Sequence, residues 1–114
     1  MFDRDAGLVQ GTLELLVLKT LTWGPMHGYG IASWIETATD DDLRVEDGSM
    51  YPALYRMEKR GWIAAEWGVS DTNRKAKFYS ITKSGRRQMK EDRSHWERLS
   101  SAMGRVLAVS KNGV

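Results

Sequence analysis

Cysteine is absent from all 114 residues, which excludes a disulfide framework, a zinc–thiolate cluster and a thiol nucleophile, and fits a reducing cytosol. Histidine is nearly as scarce. His27 and His95 lie far apart, and neither has a His or Cys partner at ligand spacing, so no metal site is expected. Long hydrophobic runs are missing too: none exceeds Leu15–Leu18, which Glu14 and Lys19 bound, far short of a bilayer span. The first residues, with Asp3, Arg4 and Asp5, lack the basic-then-apolar order of a signal peptide. The expectation is a soluble, cytoplasmic protein with no membrane partner. Catalytic patterns are also lacking. No serine sits in a nucleophile elbow, and Asp40, Asp41 and Asp42 have no glycine-and-glutamate calcium frame. Gly24, Gly28 and Gly30 follow a helical pattern rather than a strand, and Ser33 stands where a dinucleotide fingerprint needs its third glycine. Neither an enzyme nor a cofactor is expected.

Hydrophobic residues make up 41% of the chain and charged ones 28%, the balance of a folded domain rather than a disordered one. Its length suffices for one core but is near the size at which a partner subunit helps. The net charge of +2 hides an uneven distribution. Glu36, Asp40, Asp41, Asp42, Glu46 and Asp47 face only Arg44, a net of −5 over residues 36–47. Ten Lys and Arg face only Glu58, Glu66 and Asp71 over residues 56–90, a net of +7. A basic segment of this kind is either a solvated face or a surface for a polyanion.

Apolar residues crowd Leu8–Trp23 so densely that this helix is buried on most sides, and Gly24-Pro25 ends it. Met26, His27 and Gly28 read as a turn. Tyr29, Ala32, Ile35 and Ala38 mark a second helix, with Trp34 off the stripe and partly exposed. After the acidic loop, Met50, Leu54 and Met57 form the inner face of a third helix, for which Glu46, Asp47 and Ser49 are alternative caps. Gly61 stops it. Two strand-like runs, 62–67 and 76–81, flank a turn-rich stretch from Gly68 to Arg74. Thr82 then caps a long last helix reaching about Val109. Its Met89, Trp96, Leu99, Met103 and Val106 fall on alternating steps of three and four, broken by Asp92. Such a seam either packs on its own core or pairs with a second chain.

A short helix able to enter a DNA groove, followed by a basic hairpin to grip beside it, is the plan of a winged helix-turn-helix. The expected fold is mainly α with a small β-hairpin. A DNA-binding winged helix-turn-helix occupies residues 1–82, and a dimerisation helix and tail occupy residues 83–114.

With Leu13-Glu14-Leu15-Leu16-Val17-Leu18, then Gly24-Pro25-Met26-His27-Gly28-Tyr29-Gly30-Ile31, then Gly48-Ser49-Met50-Tyr51-Pro52-Ala53-Leu54, the chain resembles the PadR family of bacterial transcriptional regulators. Gly61-Trp62-Ile63 and the hairpin ending Lys77-Phe78-Tyr79-Ser80-Ile81-Thr82 extend the likeness. The resemblance implies a homodimer that binds double-stranded operator DNA, typically as a repressor, and in several members is released by a small, often aromatic effector. It also implies that the helix carrying Ser49, Tyr51, Tyr55 and Arg56 reads DNA, that the hairpin is the wing and that the last helix makes the dimer.

Individual residues carry alternatives. Ser49 and Tyr51 near the helix start contact DNA, or serve as cap and core. Arg56 suits a bidentate guanine contact, or else a phosphate clamp or an ion pair with the acidic loop. Lys59 reaches the DNA backbone, whereas Arg60 chiefly favours the helix carboxyl end. Asn73, Arg74, Lys75 and Lys77 sit at or beside the wing tip, where they neutralise phosphate or enter a minor groove. His27 and Tyr29 touch phosphate or only shape a turn. Trp96 fills the dimer seam or lines an effector pocket between subunits. The rival functions are a protein-interaction module that kept the fold without binding DNA, and a single-strand binder using the Trp-rich hairpin.

Overall fold

A computed structural model describes residues 10–110. Leu8, at the expected start of the first helix, lies outside them. Helix α1 (Gln10–Leu21) buries Leu13, Val17, Leu18 and Leu21. Two polar residues are buried with them: Thr20, whose hydroxyl donates to the Leu16 carbonyl (2.8 Å), and Glu14.

Residues 26 and 27 depart from the expected turn. They form a two-residue strand, β1 (Met26–His27), antiparallel to a later strand. So short a strand has no alternation to betray it; its pairing is set by the free edge it meets. Helix α2 (Gly28–Ala38) follows at once, capped by His27, whose Nδ1 accepts the Gly30 N–H at 2.9 Å. The inner face of α2 is also corrected. Gly28, Ile31 and Ile35 are buried, while Tyr29 is 77% exposed and Ala38 lies outside. Of the expected stripe, Ile35 is buried and Ala32 packs against the core, but Gly28 and Ile31 take the places given to Tyr29 and Ala38, because a glycine in the buried row carries no apolar signal.

Helix α3 (Asp47–Lys59) buries Met50, Ala53, Leu54 and Met57 against α1 and α2. Of the three candidate caps, Glu46 holds the cap position, in an extended conformation and without a side-chain hydrogen bond. Ser49 lies inside the helix. At the other end Gly61 adopts φ +76°, and the N–H groups of Gly61 and Trp62 donate to the carbonyls of Glu58 and Met57, both at 3.0 Å. This is the paired closure that a left-handed residue allows.

Strands β2 (Ile63–Val69) and β3 (Lys75–Ile81) form the hairpin, two residues longer at its tip than expected because Gly68 and Val69 pair with Ala76 and Lys75. Trp62 precedes β2 rather than opening it. With β1 the sheet has three strands in the order β1–β3–β2. Helix α4 (Lys83–Ala108) starts, as expected, at Thr82, whose hydroxyl accepts the Gly85 N–H (3.0 Å). Its first turns pack on α1, and the molecule measures 61 × 28 × 21 Å because the rest of α4 projects beyond the core.

Two glycines of α4 differ sharply. A Cβ on Gly85 would overlap the Trp62 carbonyl oxygen, whereas one on Gly104 would meet nothing within 4 Å. Chemical denaturation should therefore show Gly85→Ala losing at least about 1–3 kcal/mol. The same substitution at Gly104 should gain up to about 1 kcal/mol from helix propensity.

Candidate nucleic-acid interface

Helix α3 divides its residues by face. The buried row holds it on the core, and opposite it Tyr51, Tyr55 and Lys59 recur at four-residue spacing as one exposed row. The row is self-supporting: Lys59 Nζ lies 5.3 Å from the centre of the Tyr55 ring and 3.5 Å from its hydroxyl. Ser49 and Arg56 sit on the flank of the helix, both half-buried. Arg56 does pair with an acid, though not with one in the acidic loop. Its Nε donates to Glu14 Oε2 of α1 at 3.4 Å, and Arg60 Nη1 stands 3.8 Å from the same oxygen. Sequence reasoning passed over Glu14. The available signal was an acid set inside Leu13–Leu18, on a helix whose apolar density already implies burial on most sides.

The wing brings the other basic residues in from the far flank. Lys77 bridges to Glu58 of α3 (3.2 Å), so the hairpin is tied by charge to the helix beside it. Lys75 stacks its ammonium 5.2 Å from the centre of the Trp67 ring. Lys75, Lys77 and the buried Tyr79 share one face of β3, as alternation requires. At the tip, the Ser70 N–H donates to the Arg74 carbonyl (2.8 Å), and the Arg74 N–H donates to the Ser70 hydroxyl (3.2 Å). Asn73 takes φ +62°, a conformation asparagine tolerates better than most residues. Asn73 and Arg74 are thereby displayed to solvent.

Between the wing and the amino ends of α2 and α3 lies an open groove of about 1070 Å³. Its lining includes His27 and Tyr29, Tyr51 of α3, and Trp67, Arg74, Lys75, Lys77 and Phe78 of the wing. Gly28 lets the Tyr51 ring lie against α2, since a Cβ there would come within 2.9 Å of it. His27 packs edge-on to Phe78, with ring centres 5.3 Å apart. The structure thus gathers Tyr51, Arg74, Lys75 and Lys77 around one groove, with Tyr55 and Lys59 continuing outward from it. Ser49 and Arg56 are set to the side. Trp67 joins the groove without having been singled out as a site residue.

The chain matches known proteins over most of its length. Residues 17–91 fit the transcriptional regulator PadR-like family. The chain belongs to that family. Transcriptional regulator Rv3488 of Mycobacterium tuberculosis is 39% identical over 92 residues, covering 80% of this chain and 81% of the relative. Among solved structures, a transcriptional regulator from Clostridium thermocellum superposes with a TM-score of 0.78 at 26% identity, covering 86% of this chain and 95% of that one. A PadR-like transcriptional regulator from Bacillus cereus gives 0.75 at 26% identity, with 90% and 98% covered. Membership makes this PadR-like chain a winged-helix transcriptional regulator and implies that it binds DNA.

Beyond the core, α4 leaves its seam open. Met89 packs against the core, but Trp96 (48%), Leu99, Met103 and Val106 are all exposed. Asp92, the polar breach, accepts a hydrogen bond from Gln88 Nε2 (2.8 Å) on its own helix. Among the described residues no three His, Cys, Asp or Glu side chains gather as a metal site would need. No helix described is long and apolar enough to cross a membrane.

Burial pushes the Tyr79 phenol above its ordinary value of 10.0; Glu58 and Tyr51 act in the same direction, and Lys77 opposes them. The fold favours the protonated phenol, so this contribution to stability is whole below about pH 10 and is lost as pH rises through the folded value. A denaturation series at alkaline pH should show Tyr79→Phe weakening that alkaline decline, and absorbance titration should show it removing the latest phenolate signal.

Proposed function

We propose that this PadR-like regulator is a homodimeric operator-binding repressor released by a small aromatic effector, with residues 1–82 reading DNA and residues 83–114 joining the subunits. The observation that carries the reading is the exposed Tyr51–Tyr55–Lys59 row, flanked across one groove by the basic wing. Phenol hydroxyls donate and accept hydrogen bonds at base edges and phosphates, and the wing cations Arg74 and Lys75 displace counterions from the backbone. Asn73 at the tip has the size and polarity to follow them. Arg56, on the flank, supplies the fork that suits guanine.

Pairing of two chains is supported by the uncovered α4 seam. Side chains as large as Trp96, Leu99 and Met103 gain about 25 cal/mol for each Å² of apolar surface taken from water. Two recognition helices joined in this way would fall in successive major grooves, ~34–36 Å apart. A flat effector stacking on Trp96 at the subunit junction would change that spacing and so release one half-site.

Gel-shift titration against the DNA upstream of neighbouring genes tests the reading; no preference for any fragment at moderate salt would sink it. Within a positive result, Arg56→Ala should flatten base preference. Lys75→Ala should weaken every duplex alike and lower the salt slope by about one. Light scattering should give twice the chain mass for the wild type and a monomer for Trp96→Glu.

A further inference from the structure

Among the described residues Glu14 is the one charged residue that is buried, at 4% exposure. A charge held away from water needs a partner, and Glu14 finds one on α3, Arg56, and a second in Arg60 at the carboxyl cap of that helix. One carboxylate oxygen accepts the Nε–H of Arg56 at 3.4 Å and lies 3.8 Å from Nη1 of Arg60. The two contacts differ in what they leave over. Arg56 is held by its inner nitrogen, and its two terminal amino groups have no partner among the described residues. Those two groups form the parallel donor pair that guanine O6 and N7 accept. Arg60 is drawn back by a terminal nitrogen, and its guanidinium lies 5.1 Å from the centre of the Trp62 ring. That contact engages its guanidinium a second time.

We propose that Glu14 is a positioning residue for sequence recognition: anchored in the core of α1, it fixes Arg56 through Nε and presents the terminal amino groups to a base edge. The proposal rests on the DNA-reading function above and deepens it. A free arginine must freeze several bonds when it meets a base, whereas one already held by a core carboxylate has lost that freedom in the unbound protein. Glu14 itself never reaches DNA. Its effect should therefore appear in which base is preferred rather than in how tightly any duplex is held.

Glu14→Leu removes the acceptor and fills the space among Leu13, Val17 and Leu18. The arginine side chains it releases are 35% and 48% exposed, so both can return to water without leaving a buried charge unpaired. Glu14→Gln keeps the shape and a weaker acceptor.

The test is in vitro selection from a random-sequence duplex library with the wild type, Glu14→Leu, Glu14→Gln and Arg56→Ala. Anisotropy titrations then use the enriched duplex, its single-base variants and an unselected duplex, with circular dichroism and melting on each protein. Arg56→Ala should identify a base pair at which preference disappears. Glu14→Leu should lose preference at that same pair, on the order of tenfold, with Glu14→Gln between it and the wild type. Binding to the unselected duplex should stay at the wild-type level in both Glu14 variants.

Wild-type preference at that pair in Glu14→Leu overturns the proposal and leaves DNA reading intact. Uniform weakening on every duplex overturns it too, because that is the mark of a merely structural ion pair. If Arg56→Ala loses preference at no position, Arg56 is not the reader and the proposal falls. If Glu14→Leu does not fold, Glu14→Gln decides: unchanged preference at the Arg56 pair overturns it. A wild type that enriches no motif overturns the operator-binding function and this proposal with it.

Discussion

Four backbone segments meet at one knot, and the rest of the molecule is oriented from it. The Thr82 hydroxyl lies 2.6 Å from the Gly61 carbonyl and 3.0 Å from that of Trp62, and it accepts the Gly85 N–H. The Thr82 N–H donates to the Trp62 carbonyl at 3.0 Å. The end of α3, the start of β2, the end of β3 and the start of α4 are thereby fastened within a few residues. Gly85 lets α4 press against the Trp62 carbonyl where any side chain would collide. Helices α3 and α4 thus share one hydrogen-bonded joint. If two chains pair through α4 as proposed, this joint is the route by which a change at the seam would reach the groove.

Charge is arranged to support the same geometry from both flanks of α3. Glu14 takes Arg56 and Arg60 on the α1 side, and Glu58 takes Lys77 on the wing side. The second bridge is half-exposed, so it adds modestly to stability and chiefly fixes the hairpin angle. The first is anchored on a buried carboxylate, where loss of a partner costs far more than loss of the acid. Between the two flanks, the outward row is left to phenols and one lysine. Most of the cation density that attracts a polyanion stands on the wing.

Much of this was legible in the sequence because it follows from periodicity and from residues with narrow conformational roles. Met50, Leu54 and Met57 announced the buried face of α3. Gly61 announced its end, and Thr82 the start of α4. What escaped has physical reasons. Two residues at 26–27 cannot display strand alternation. The buried row of α2 begins with a glycine, which periodicity does not count. Glu46 takes the cap position by backbone conformation alone, without the side-chain bond that would mark it. The partner of Arg56 lies forty-two positions away, and an isolated acid in an apolar run gives no hint of which base it will meet. Of the candidate interface residues, Tyr51, Arg74, Lys75 and Lys77 line one groove, whereas the pairing of Arg56 depended on that distant carboxylate.

Strand β1 has a consequence for solubility. The apolar stretch Phe78-Tyr79-Ser80-Ile81 would make an inviting template for another molecule if β3 lay at the sheet edge. Met26 and His27 close that edge opposite Tyr79 and Phe78. Where β1 stops, Lys77 and Lys75 take over, and lysine on an open edge repels a like strand. The protein therefore guards its central strand twice, by backbone pairing at one end and by charge at the other. The same lysines that suit a polyanion also disfavour strand pairing on this edge.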